Sequence, residues 1–120
     1  MIVTLWIPGW TPTPLNRLLG AHWGTAHKRK QSDKEVIGRA VLLYGLKWMP
    51  PQGKRKVSMM IVLGPKMRAA DPDSFWKSTL DALVSCGALI DDNRQHCITE
   101  PVQFCRGEYK ATYITLEDVP

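Results

Sequence analysis

Apolar runs and short polar breaks alternate along this chain, and their spacing predicts its elements. Residues 2–7, IVTLWI, are β-branched and apolar and predict a first strand. PGWTPTP then interrupts any regular element, because proline lacks a donor and fixes φ. Residues 16–31, NRLLGAHWGTAHKRKQ, have no clean period and predict a loop carrying two glycines, two histidines and a Lys-Arg-Lys cluster. Ser32 or Asp33 is placed to cap a helix, in which Val36, Ile37, Ala40, Val41, Leu43 and Tyr44 recur at helical spacing. That helix should end near Gly45, before the Pro50-Pro51 breaker.

After the polar connection QGKRK, residues 57–65, VSMMIVLGP, predict a second strand, and KMRAADPD predicts a short loop. Ser74 to Cys86 predicts a second helix that buries Phe75, Thr79, Ala82, Leu83 and Cys86. Gly87 is placed to end it in a left-handed turn. ALI gives a short apolar run. ITEPVQFC (98–105) and YKATYITL (109–116) predict two strands joined as a hairpin around RGE. The order is β-α-β-α-(short β)-β-β, an α+β domain with a single small mixed sheet and two helices.

Composition narrows the class. With 120 residues, 44% hydrophobic and 22% charged, the chain predicts one domain over 1–120, long enough to bury about two-thirds of its unfolded surface. No apolar run approaches the roughly 20 residues of a membrane span. MIVTLWIPG lacks the basic and long apolar regions of a signal peptide, so the default expectation is a cytoplasmic protein with no membrane partner. Cys86, Cys97 and Cys105 form an odd set with no C-x-x-C pair, which argues against a disulfide framework and a zinc ribbon. His96 beside Cys97 matches no standard zinc spacing, and buried or neutral thiols are the better expectation.

Charge changes the picture more. Residues 1–70 carry 12 Lys and Arg against 2 Asp and Glu, a balance of +10; residues 71–120 carry 4 against 9, a balance of −5. A basic half beside a local acidic cluster points to a polyanion partner and a cation held at one place.

The acid is concentrated in DPDSFWKSTLDALVSCGALIDDN, residues 71–93. Pro72 disfavours the α region for Asp71 and keeps the segment extended, so Asp71 and Asp73 point the same way. The plainer role for them is a helix cap and a partner for the helix dipole. That role leaves Asp91-Asp92 unexplained. A 13-residue helix is roughly 20 Å long. Six extended residues from Gly87 to Asp92 reach at most roughly 20 Å. A chain that reverses at Gly87 and runs straight back would therefore bring Asp92 beside Asp71 and Asp73. Three convergent carboxylates repel unless a cation sits among them, and oxygen-only ligands select Mg²⁺ or Mn²⁺ over zinc. Lys77, one turn into the helix, could reach a phosphate there; its plainer role is an i,i+4 pair with Asp81 worth about 0.2–0.5 kcal/mol.

DPDSFWKSTLDAL followed by GALIDD resembles the signature of the RusA family of Holliday junction resolvases: D-x-D-N, a Lys four residues past the second Asp, D-A-L, an apolar pair and D-D. The likeness extends to a first strand ending in Pro, the segment TPTPLNRL, a basic loop, and the order helix, strand, helix, closing hairpin. The resemblance implies metal-binding carboxylates at Asp71, Asp73 and Asp92 and an essential Lys77. It also implies a homodimer, a Mg²⁺ or Mn²⁺ requirement and paired cuts at four-way DNA junctions; many members are encoded by phages and prophages. Ser74 stands where that signature has Asn, and Ser also caps helices well.

Phosphate contacts would come from Arg17, Lys28, Arg29, Lys30, Lys54, Arg55, Lys56, Lys66 and Arg68, with the runs at 28–30 and 54–56 the strongest. His22 and His27 read as incidental loop residues. Trp6 and Trp48 are expected to pack, and Trp76 to be half-buried. Core or dimer contact is the expected role of Trp10 and Trp23, with stacking on an unpaired base the alternative. The expectation is thus a Mg²⁺-dependent, homodimeric nuclease for branched DNA. The alternatives are a nuclease of the same fold with another substrate, a DNA-binding phage accessory protein without catalysis, and a plain cation-stabilised domain.

Overall fold

The computed structural model describes residues 1–15 and 22–120. Its elements are β1 (Ile2–Pro8), α1 (Trp23–Leu43), a 3₁₀ turn (Leu46–Trp48), β2 (Arg55–Leu63), a second 3₁₀ turn (Pro72–Phe75), α2 (Trp76–Ser85), β3 (Cys97–Thr99), β4 (Gln103–Arg106) and β5 (Ala111–Asp118). This is the expected α+β arrangement with one mixed sheet and two α-helices among the described residues.

The sheet is built on β2 and β5. β5 lies between β1 and β2 and is antiparallel to both. β3 and β4 share the outer edge of β2, parallel to it, opposite Arg55–Val57 and Met60–Leu63 respectively. Burial alternates along β2, with Val57, Met59, Ile61 and Leu63 turned inward, as period 2 requires. Leu5, Ile7, Ile114 and Leu116 extend that inner face. Ile37, Val41, Phe75, Trp76, Ala82 and Leu83 cover it from the helices. The other face of the sheet is open and exposes Trp6, Met60 and Tyr113.

Three expectations change. Residues 98–105 do not form one strand, because Pro101 has no N–H to continue the ladder; the chain breaks there into β3 and β4. The ALI run is not a strand; the short strand is β3. The closing hairpin does not form either, since β2 separates β4 from β5. The RGE segment instead passes over the end of β2, where Gly107 N–H donates to the Leu63 carbonyl at 3.0 Å. A Cβ at Gly107 would meet Val62 Cγ1 at 2.8 Å, so a larger residue there would force the Val62 side chain or the crossing to shift.

α1 begins ten residues before the expected cap. His22 caps it, its Nδ1 accepting from Gly24 N–H at 3.2 Å. The segment lacked an apolar period because no residue from 23 to 32 is buried. Its Ala, Lys, Arg and Gln are good helix formers, and a helix anchored at its covered half propagates cheaply into them.

Asp33 is not the cap. It is buried, and its carboxylate accepts from Trp10 Nε1 (3.2 Å), Thr13 N–H (3.0 Å) and Ser78 Oγ (2.6 Å). One side chain thus ties the Pro-rich segment, α1 and α2 together. Asp33→Ala strands these donors and is expected to cost about 2–3 kcal/mol. Urea unfolding with an unchanged m-value checks it.

Candidate functional site

The acidic stretch begins in a turn that its own side chains hold. The Asp71 carboxylate accepts from Asp73 N–H at 3.2 Å, and Pro72 occupies the first turn position, where no donor is needed. Ser74 N–H and Ser74 Oγ both donate to the Asp71 carbonyl, at 3.0 and 2.6 Å. Ser74 is therefore committed to closing the turn, Asp71 caps that 3₁₀ turn, and α2 itself starts after Phe75 with no side-chain cap. α2 follows directly, its inner face made by Trp76, Thr79, Ala82 and Leu83. Trp76 is fully in the core, where half-burial was expected. Lys77 points out, with Nζ 3.3 Å from Asp81 Oδ1. Both groups are substantially exposed, so the pair holds Lys77 only weakly.

At its far end α2 stops as expected. Gly87 adopts φ +81°. Ala88 and Leu89 N–H both donate to the Leu83 carbonyl, and both residues enter the core. Residues 91–96 then coil into side-chain-closed turns. The Asp91 carboxylate accepts from Asp92 N–H (2.7 Å) and Asn93 Nδ2 (3.2 Å), and Asn93 Oδ1 accepts from Gln95 N–H and bonds His96 Nδ1.

This coiling corrects the straight return path. The segment uses its length in turns beside the second half of α2. Asp91 and Asp92 line a shallow cleft of about 280 Å³ with Asp81, Val84, Ser85 and Lys34. Asp71 and Asp73 are not among its lining residues. Among the described residues, no three His, Cys, Asp or Glu side chains stand close enough together to hold one metal ion. The side-chain carboxylates of Asp73 and Asp92 are exposed and make no hydrogen bond or ion pair among the described residues. Sequence reasoning missed Lys34 as a member of this cleft, although it lies four residues beyond Lys30 on one helix. It counted Asp81 only as a partner for Lys77.

The cationic candidates separate by burial. Arg17 lies outside the described residues. Lys28, Arg29 and Lys30 are exposed on α1, and Lys66 and Arg68 are exposed in the loop leading to Asp71. Lys54 is partly covered. Arg55 is 1% exposed and is removed from the set: Nε donates to Asp118 Oδ1 (2.8 Å), Nη1 to the Ala88 carbonyl (2.9 Å) and Nη2 to the Met49 carbonyl (2.6 Å). Lys56 is engaged by Glu100 (3.2 Å) and Glu117 (3.3 Å), whose bonds and charge raise its pKa. Arg55 and Lys56 of the 54–56 run thus serve the fold, and the exposed candidates lie on α1 and in the 66–68 loop.

The thiols are free. Burial pushes the Cys86 thiol up; burial, then the negative charge of Asp92, does the same for Cys97. Trp6 and Trp48, expected to pack, are 50% and 79% exposed, and Trp23 is 80% exposed. No helix among the described residues is long and apolar enough to cross a membrane. No protein-family model matches the chain, and no curated protein is significantly similar to it.

Proposed function

We propose that the protein is a divalent-metal-dependent, structure-selective endodeoxyribonuclease that resolves four-way DNA junctions by phosphodiester hydrolysis. The observation that carries this reading is the rim formed by Asp71, Asp73 and Lys77. Two carboxylates two residues apart sit on one self-locked turn, with a weakly held ammonium one helical turn further on. The cations Lys66 and Arg68 lead into it.

The donor chemistry suits a hard cation, because every candidate ligand is a carboxylate oxygen. Mg²⁺ commonly takes one or two protein carboxylates together with waters and substrate phosphate. Asp71 and Asp73 are sufficient in number. Asp92, in the neighbouring cleft, completes the set only if the 91–96 turns shift. Such an ion, when bound, supplies charge neutralisation at phosphate and a more acidic water. The chain's own residues do the rest. Asp73 presents an unengaged carboxylate at the rim, Asp71 holds the turn, and Lys77 leaves Asp81 to meet the negative charge developing on a phosphate oxygen.

The resemblance also implies a homodimer. The open sheet face suits a second copy: Trp6, Met60 and Tyr113 give it an apolar centre, and the cation Lys56 is neutralised by Glu100 and Glu117. Sedimentation should give twice the 13.6 kDa chain mass, and Met60→Glu should give the monomer.

The deciding experiment offers a synthetic four-way junction, a linear duplex and single strands to the protein with Mg²⁺, Mn²⁺ or chelator. Paired, metal-dependent cuts in the junction alone are expected. Equal cutting of linear duplex would remove junction selectivity. Binding without metal-dependent cutting would favour the second reading, a DNA-binding accessory protein of phage or prophage origin. The absence of a preassembled three-carboxylate site among the described residues is the observation on that side.

A further inference from the structure

Among the described residues, buried side chains of α1 occur only in its second half. Its buried residues are Asp33, Ile37, Ala40 and Val41. The first half stands clear, and it is not merely polar. The Trp23 indole is stacked on the His27 imidazole, with ring centroids 5.7 Å apart and planes 11° from parallel. Trp23 is nevertheless 80% exposed. A tryptophan recruited for packing would be hidden; this one leans on a neighbour and leaves its other face to solvent. Positions 23, 27, 30 and 34 fall within an arc of roughly 60° at 3.6 residues per turn. The aromatic pair is therefore followed along the same stripe by Lys30 and then by Lys34, which lines the acidic cleft with Asp81, Asp91 and Asp92.

We infer that this stripe binds an unpaired stretch of a DNA strand, with a base stacked on the Trp23–His27 pair and phosphates on Lys30 and Lys34. The two halves of the surface match the two halves of a nucleotide. An exposed aromatic face accepts any base, and cations at one-turn intervals along a helix follow the backbone. A duplex offers no free base face to the indole, so the pair selects unpaired nucleotides, as occur where strands separate at a branch. The inference rests on the DNA-binding part of the proposed function, and it names a feature of the substrate that the carboxylates do not read.

The test measures binding in chelator, without cleavage. A fluorescein-labelled single strand of about 12 nucleotides is compared with an abasic strand of equal length, which keeps the phosphates and lacks the bases. The wild-type protein is expected to prefer the base-bearing strand about tenfold. Trp23→Ala should lose that preference while keeping its affinity for the abasic strand, and Trp23→Phe should retain most of it. Circular dichroism confirms that the variants fold, as expected for a side chain outside the core. Equal affinity of the wild-type protein for the two strands would overturn the inference, as would a preference unchanged in Trp23→Ala or no binding of either strand. Each outcome is independent of whether the junction is cut in Mg²⁺, so failure of the stacking surface and failure of the nuclease reading are told apart.

Discussion

Asp73→Asn is expected to lower metal-dependent junction cleavage by about 100-fold or more while leaving junction binding and the melting transition unchanged. The separation of effects follows from the local geometry. The Asp73 backbone N–H holds the turn by donating to Asp71, but its carboxylate is exposed and carries none of the turn's hydrogen bonds. Exchanging one oxygen for an amide nitrogen therefore removes the negative charge of the proposed metal ligand and touches none of the turn's hydrogen bonds. Asp71→Asn is the informative companion. Asn caps as well as Asp, so the turn should survive, and any loss of cutting there reports ligand charge. Cleavage by Asp73→Asn at the wild-type rate would sink the metal reading at this rim. Loss of folding in the same variant would show that the carboxylate has a structural role that its exposure does not suggest.

Arg55→Ala is expected to destabilise the protein by about 3–5 kcal/mol, more than the loss expected of Asp33→Ala. The guanidinium is buried at the start of β2 and joins three parts of the chain: the C-terminal Asp118, the carbonyl of Met49 after α1, and the carbonyl of Ala88 after α2. Truncation strands two carbonyls and opens a cavity at once. Arg55→Met refills much of the volume without the donors, so the difference between the two variants apportions packing and hydrogen bonding. Asp118 is 47% exposed at its side chain, and Asp118→Asn should cost well under half as much as Arg55→Ala. Urea denaturation of the wild-type protein and the three variants checks the ranking. A loss below about 1 kcal/mol in Arg55→Ala would show that water replaces the guanidinium at both carbonyls.

Arg55 also marks where a sequence stops being informative. In GKRK it is indistinguishable from the Lys28-Arg29-Lys30 run, since both are short basic clusters beside predicted elements. One run is on the surface of a helix. In the other, Arg55 is consumed by the core and Lys56 by two carboxylates. Nothing local separates them, because the acceptors that bury Arg55 lie 6, 33 and 63 residues away. Asp33 is the same case with the opposite sign. Its type and position match a helix cap, while its real partners are Trp10, Thr13 and Ser78.

By itself the sequence determined what depends on neighbours a few residues apart. The period-2 burial of β1 and β2, the 3.6-residue period in the second half of α1 and along α2, and the left-handed stop at Gly87 were legible, because each follows from local sterics and the side on which apolar residues recur. So was the concentration of carboxylates in residues 71–93. Tertiary structure alone decided which strands pair. β4 joins β2 and not β5, since a hairpin reading weighs the short loop and cannot see the third strand that takes the place between them. It also decided the reach of the acidic return path. The length arithmetic assumed extended backbone, whereas Ala88 and Leu89 turn into the core and residues 91–96 close on their own side chains. Asp92 consequently lies with Asp81 and Lys34 in one cleft, and no three-carboxylate group forms among the described residues, because the chain spends its length on burying two apolar residues and closing turns rather than on stretching back.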